Sequence, residues 1–279
     1  MTDGERWARQ ALQQLAAGRY KPRAWIAFIE ASLRRARVRR GERPAEARTT
    51  RILGIAGVAL WAGTPPFLGW AGASVGAAWW VALVMMIDWH LGMLESADGT
   101  PVAGIGVANL LSLGRAGLVP LLPALRPTGI GVVVIAAAVS DVLDGRLARV
   151  RGETTRLGHW LDGSADTLVA ASAGIAAASA GIVTTWVGAL IVARSAVPWL
   201  AISAGYFLRR QAPPQATLVS GRIPGGAVLA GLAMAGFGVE VGGLIAALGA
   251  AGGIGAWVIT ITRAVPSAAG VSGEKPERG

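Results

Sequence analysis

The chain contains no cysteine. That excludes a disulfide framework and any cysteine-ligated zinc or iron–sulfur centre. Charge is also scarce: only 15% of the 279 residues are Asp, Glu, Lys or Arg, against about 25% in an average soluble protein. A cleavable signal peptide is not expected, because about fifty polar, basic residues precede the first apolar stretch. There is no clear internal repeat. Gly104-Ile-Gly106 follows no strand pattern, so it does not read as a dinucleotide loop. What is abundant is apolar: 53% hydrophobic residues, 40 Gly and 11 Trp. Small residues let membrane helices approach closely, and Trp favours the membrane–water boundary. Trp61, Trp70, Trp79, Trp89, Trp186 and Trp199 lie near the ends of apolar runs.

The net charge of +10 is unevenly spread, with thirteen of the 26 Lys and Arg in the first 51 positions. Residues 1–50 read as a basic helical extension, with helical periodicity over Glu5–Ala17 and Ala24–Val38 and a basic run from Arg34 to Arg40. Basic clusters can bind nucleic acid. With apolar runs beginning so soon afterwards, a helix held on anionic lipids at about 1 kcal/mol per basic residue is the better reading, and nucleic acid is not an expected partner.

From Ile52 onward apolar runs recur at the length that crosses a bilayer as a helix, about 20 residues. They predict spans near 52–71, 73–95, 104–124, 128–148, 159–182, 185–207, 223–240 and 242–262, the first interrupted by Thr64-Pro65-Pro66. The predicted fold class is all-α, a polytopic membrane bundle of about eight helices. An even count puts both termini on the side that also receives Arg149, Arg151, Arg156, Arg209, Arg210, Arg222, Arg263, Lys275 and Arg278. By the positive-inside rule that side is cytoplasmic.

Four aspartates interrupt this pattern. Asp141 and Asp144 lie near the cytoplasmic end of one predicted span, and Asp162 and Asp166 near the start of the next. Each ionisable group at depth costs about 2.5–3.5 kcal/mol, so four would cost about 10 kcal/mol, comparable to a domain's net stability. Asp141, Asp144, Gly145 and Ala148 share one helix face, as do Gly158, Asp162 and Asp166. An antiparallel pairing brings the two acidic faces together. Like charges so close cannot all stay ionised unaided; divalent ions with oxygen ligands, Mg²⁺ or Mn²⁺, would resolve this. Gly145, Ala148 and Gly158 leave room beside the acids.

Asp141-Val-Leu-Asp144-Gly145-Arg-Leu-Ala148-Arg149, eight residues, then Gly158-His-Trp-Leu-Asp162-Gly-Ser-Ala-Asp166 resembles the signature of the CDP-alcohol phosphatidyltransferases, DxxDGxxAR-x8-GxxxDxxxD. Asn109-Leu-Leu-Ser112-Leu-Gly-Arg115 resembles that family's first core helix. The resemblance covers about residues 103–262, six spans. It implies a membrane core at 103–265, preceded by the extension at 1–50 and two additional helices at 51–102, and followed by a flexible cytoplasmic tail at 266–279.

The resemblance implies transfer of a phosphatidyl group from CDP-diacylglycerol to a small alcohol, with release of CMP, in phospholipid biosynthesis. It implies two divalent ions held by Asp141, Asp144, Asp162 and Asp166, with Asp166 also the catalytic base. It sets Gly145 and Ala148 beside the cytidine diphosphate, Gly158 and Asn109 in the substrate site, and Arg149 on a phosphate or the loop. Arg115, Arg156 and Arg222 either bind a phosphorylated acceptor or are topology charge. The family's Gly-Lys and Lys-Thr before its fifth core helix are replaced here by Ser220-Gly221-Arg222-Ile-Pro224, which speaks against phosphatidylglycerophosphate synthesis. A second copy of the chain is a further candidate partner. The acids alone also raise a prenyltransferase using Mg-diphosphate and a cation or proton transporter.

Overall fold

A computed structural model describes residues 2–152, 154–209 and 222–264, without the side chains of 209, 222 and 261–264. The described residues form ten α-helices and no strand: α1 Asp3–Ala17, α2 Pro22–Glu42, α3 Pro44–Ala62, α4 Pro65–Trp89, α5 Val107–Gly117, α6 Pro127–Arg151, α7 Arg156–Ser179, α8 Thr185–Arg209, α9 Arg222–Gly236 and α10 Val241–Ala264. Pro65–Trp89, Val107–Ala124, Thr185–Leu208 and Val241–Thr260 are long and apolar enough to cross a membrane. Ile223–Gly236 is apolar but shorter. The helices fit a multi-pass membrane protein.

Prolines move the helix ends away from the sequence expectation. The predicted break at Thr64-Pro65-Pro66 exists, but Pro65 opens a helix instead of bending one. Proline suits the first helical position, where its missing N–H is an orphan anyway. Pro44 likewise opens α3 within the segment expected to belong to the extension. The span expected at 104–124 is helical only to Gly117, and continues as a 3-10 stretch, Val119–Ala124, containing Pro120 and Pro123. The basic run from Arg34 to Arg40 lies inside α2, not after it.

Two cores result. Ile130 and Val134 of α6, Ala173 and Ala177 of α7, Ile191 of α8, Val228 and Leu232 of α9, and Ala246 and Ala250 of α10 bury one. Ala47, Val84, Ile87, Leu91, Leu94, Ile105, Leu113 and Leu157 form the other. The second joins α3 and α4 to α5 through Leu113 and to α7, which carries two of the acids, through Leu157. The two amino-terminal helices pack on each other, Leu12, Leu15 and Ala36 are buried, and Asp3 is held by Arg35 and Arg39 of α2. Trp25 and Phe28 of α2 meet Phe207 near the end of α8, with ring centroids 5.2 and 6.2 Å away.

Candidate active site

The acids sit at the facing ends of α6 and α7. The first of these helices runs to Arg151 and stops where Gly152 adopts a left-handed conformation (φ 64°), which a glycine takes without a Cβ penalty. Thr155 then caps α7, its hydroxyl accepting the Gly158 N–H at 3.0 Å. The connection between α6 and α7 is thus short, and the chain returns at once alongside itself. α5 packs against both helices, so the acidic faces meet around a side chain from α5 and not only each other.

That side chain is Arg115. Its side chain is 1% exposed, and Nη1 lies 3.2 Å from Asp141. Its Nη2 lies 3.2 Å from Asp144, 2.6 Å from Asp162 and 3.3 Å from Asp166. Asp144 is the inner acid, 5% exposed, and also accepts the Ser112 hydroxyl at 2.9 Å. Asp141, Asp162 and Asp166 remain 44%, 43% and 50% exposed. One wall of the quartet is therefore closed by α5, and the other is open to a reactant. If all five groups are ionised, the four carboxylates and one guanidinium carry a net charge of −3. Oxygen atoms of Asp141, Asp144 and Asp162 all lie within 4.8 Å of one another. A cluster of hard oxygen donors with excess negative charge fits Mg²⁺ or Mn²⁺.

The other expected residues fall into three groups. Asn109 and Gly158 hold α5 against α7: Asn109 is buried, its Nδ2 donates to the Ile105 carbonyl at 2.6 Å, and its Oδ1 lies against the Gly158 backbone. Gly145 and Ala148 are partly buried on α6, and the exposed Arg149 folds its guanidinium over Gly145. Arg156 is engaged elsewhere. Its Nη1 donates to Glu5 at 2.8 Å, its Nη2 to the Ala97 carbonyl at 3.2 Å, and its Nε lies 3.6 Å from Glu95. Arg222 opens α9, but its side chain lies outside the described residues, as do Gly221 and the expected tail.

Glu5 also accepts the Thr2 N–H at 2.9 Å, completing the cap of α1. The Arg156 hydrogen bond first, and this backbone bond second, hold its carboxyl below the ordinary value of 4.5. Neither Glu5 nor Glu95 is marked by any motif. Arg194 on α8 also escaped the sequence reading. It interacts electrostatically with Asp166, and its guanidinium lies against Gly225 of α9 and Gly253 of α10. A cation in the middle of the apolar run 185–207 was the available signal.

No curated protein and no solved structure matches the chain. A family model, CDP-alcohol phosphatidyltransferase, matches residues 105–262, more than half of the sequence. Members transfer a phosphatidyl group from a CDP-alcohol and depend on divalent cations. The match begins just before α5, includes all four acids and Arg115, and ends within α10. The chain belongs to the CDP-alcohol phosphatidyltransferase family.

Proposed function

We propose that the protein transfers the phosphatidyl group of CDP-diacylglycerol to the hydroxyl of a small alcohol, phosphorylated alcohols included, and releases CMP. The convergence of Asp141, Asp144, Asp162 and Asp166 around one buried guanidinium carries this reading. The four acids would hold the divalent ions, which supply positive charge against the phosphates and orient them for in-line attack. Asp166 is the most exposed of the quartet. In this reading it takes the proton of the acceptor hydroxyl as the oxygen attacks phosphorus. Arg149, whose planar fork suits bidentate phosphate contacts, lies over Gly145 and binds the diphosphate as it crosses Gly145 and Ala148. Asn109 and Gly158 keep α5 and α7 at the spacing the quartet needs. Arg194 and Arg222 are the candidates for the acceptor side, and Arg156 serves the amino-terminal helix instead.

The site and both termini face the cytoplasm in this account. The extension lies on anionic lipid, a reading supported by the exposed Ile26, Ile29 and Leu33 along one face of α2 amid its arginines. A homodimer is compatible with it. The family match leaves the prenyltransferase and transporter readings without support of their own.

The test is CMP release from CDP-diacylglycerol by the purified protein with Mg²⁺ or Mn²⁺. The acceptor panel comprises glycerol 3-phosphate, inositol, inositol 1-phosphate, serine and phosphatidylglycerol. One acceptor should stimulate release well above the others. Turnover of a prenyl diphosphate with none of CDP-diacylglycerol would refute the proposal.

A further inference from the structure

Arg115 touches every acid of the quartet, yet it is poorly satisfied. Its two terminal nitrogens serve four carboxylates at 2.6–3.3 Å, with only a long 3.5 Å contact from Nη1 to the Ala137 carbonyl besides. Its Nε is buried and makes no hydrogen bond among the described residues. A buried N–H without a partner costs free energy. The guanidinium is held in place by charge, and a buried charge is tolerated only when paired. Oxygen atoms of Asp141, Asp144 and Asp162, the cluster suited to a divalent cation, thus belong to acids Arg115 already contacts. Arg115 and a divalent ion draw on one set of ligands.

We infer that Arg115 is an internal counter-cation that competes with divalent ions for the acids and so sets the affinity of the centre for them. This rests on the reading of the four aspartates as metal ligands. The guanidinium holds the quartet together when few divalent ions are present, at the expense of weaker binding when they arrive. Arg115 is in this sense a tuning and positioning residue, not an acceptor-phosphate ligand. Two consequences have opposite signs. Without the guanidinium the carboxylates repel one another, so the fold is weaker in chelator. The same change removes a repulsive charge beside the ion, so the ion binds more tightly. A divalent ion that binds only the folded chain then stabilises the variant more than the wild type.

The experiment measures Mn²⁺ binding to the purified full-length protein by the electron paramagnetic resonance signal of free Mn²⁺, with thermal unfolding in chelator alongside. Arg115→Gln should bind Mn²⁺ at least about tenfold more tightly, a floor, because one like charge a few ångströms away at an effective dielectric near 20 repels a divalent ion by more than that, and should unfold at lower temperature in chelator. Arg115→Lys keeps the charge but loses the fork and should stay within about threefold of wild type; Arg115→Met, neutral and unbranched, should behave as Arg115→Gln does and decides the question if Arg115→Gln does not fold. A folded neutral variant that binds Mn²⁺ no more tightly than wild type overturns the inference, because Arg115 would then organise the acids for the ion. Wild-type binding that survives Asp144→Asn with Asp162→Asn refutes the metal-ligand reading beneath it. A protein with the expected Arg115 dependence but no CMP release refutes the transferase proposal alone.

Discussion

Gly158 and Gly163 lie on the same helix, and the same substitution should act on them in opposite directions. A Cβ added at Gly158 would lie 2.5 Å from Asn109 Oδ1 and 3.1 Å from Thr155 Oγ1. Neither neighbour is free to withdraw. Asn109 is buried and tied to the Ile105 carbonyl, and Thr155 accepts the N–H of Gly158 itself. Crowding of this kind costs about 1–3 kcal/mol, and breaking the buried Asn109 hydrogen bond adds about 1–3 kcal/mol. Alanine returns about 1 kcal/mol of helix propensity. The net expectation for Gly158→Ala is a loss of about 1–5 kcal/mol. At Gly163 nothing lies within 4 Å of the added Cβ, so Gly163→Ala should keep the propensity gain of about 1 kcal/mol. Thermal unfolding of both variants in detergent, followed by tryptophan fluorescence, should place Gly158→Ala several degrees below wild type and Gly163→Ala at or above it. Equal stability of the two variants would refute the close approach of α5 and α7 at Gly158.

Other outcomes follow from the same contacts. Ser112→Ala removes one of the donors to buried Asp144 and should cost about 1–3 kcal/mol, read by the same unfolding assay. At Gly231 a Cβ would lie 2.6 Å from the Gly242 carbonyl oxygen of α10, so Gly231→Ala should force the two helices apart and destabilise by about 1–3 kcal/mol. Docking of α1 should depend on acid. Arg35 holds Asp3, and Arg156 holds Glu5, below their ordinary values of 3.8 and 4.5. A depressed folded-state pKa contributes stability above the ordinary value that is lost as pH falls through the depressed one. The protection of Asp3–Ala17 against hydrogen exchange, taken relative to the intrinsic rate at each pH, should therefore fall below about pH 4.5, and fall less in Glu5→Gln, which lacks the titrating carboxyl; protection unchanged down to pH 3 would contradict the pairing.

The acids were legible in the sequence because helical spacing alone puts Asp141 with Asp144, and Asp162 with Asp166, on single faces, and an aspartate in an apolar run needs a partner. The partner was not legible. Arg115 lies 26 residues before Asp141, and no local spacing says that α5 packs against both α6 and α7. For the same reason the sequence left Arg156 open between an acceptor ligand and topology charge. Its pairing with Glu5 spans 151 positions and depends on how α1 and the stretch around Glu95 dock. Helix existence was readable from apolar runs, but ends were not. Pro44 and Pro65 mark starts, while Pro120 and Pro123 turn the end of an apolar run into a 3-10 stretch, and hydropathy does not distinguish these uses of proline. Arg194 was visible as a lone cation in an apolar run, but its electrostatic link to Asp166 is a property of the packed helices.

The central claim is that the quartet on α6 and α7 is a divalent-ion-dependent centre of phosphatidyl transfer. The most direct measurement is CMP released from CDP-diacylglycerol per folded enzyme, with Mg²⁺ and the best acceptor, by wild type and Asp166→Asn. The account predicts release by wild type that stops on chelation. It also predicts a loss of about 10²–10⁴-fold in Asp166→Asn, the range for removing a positioned general base, with the variant still folded. Wild-type turnover in Asp166→Asn would contradict it.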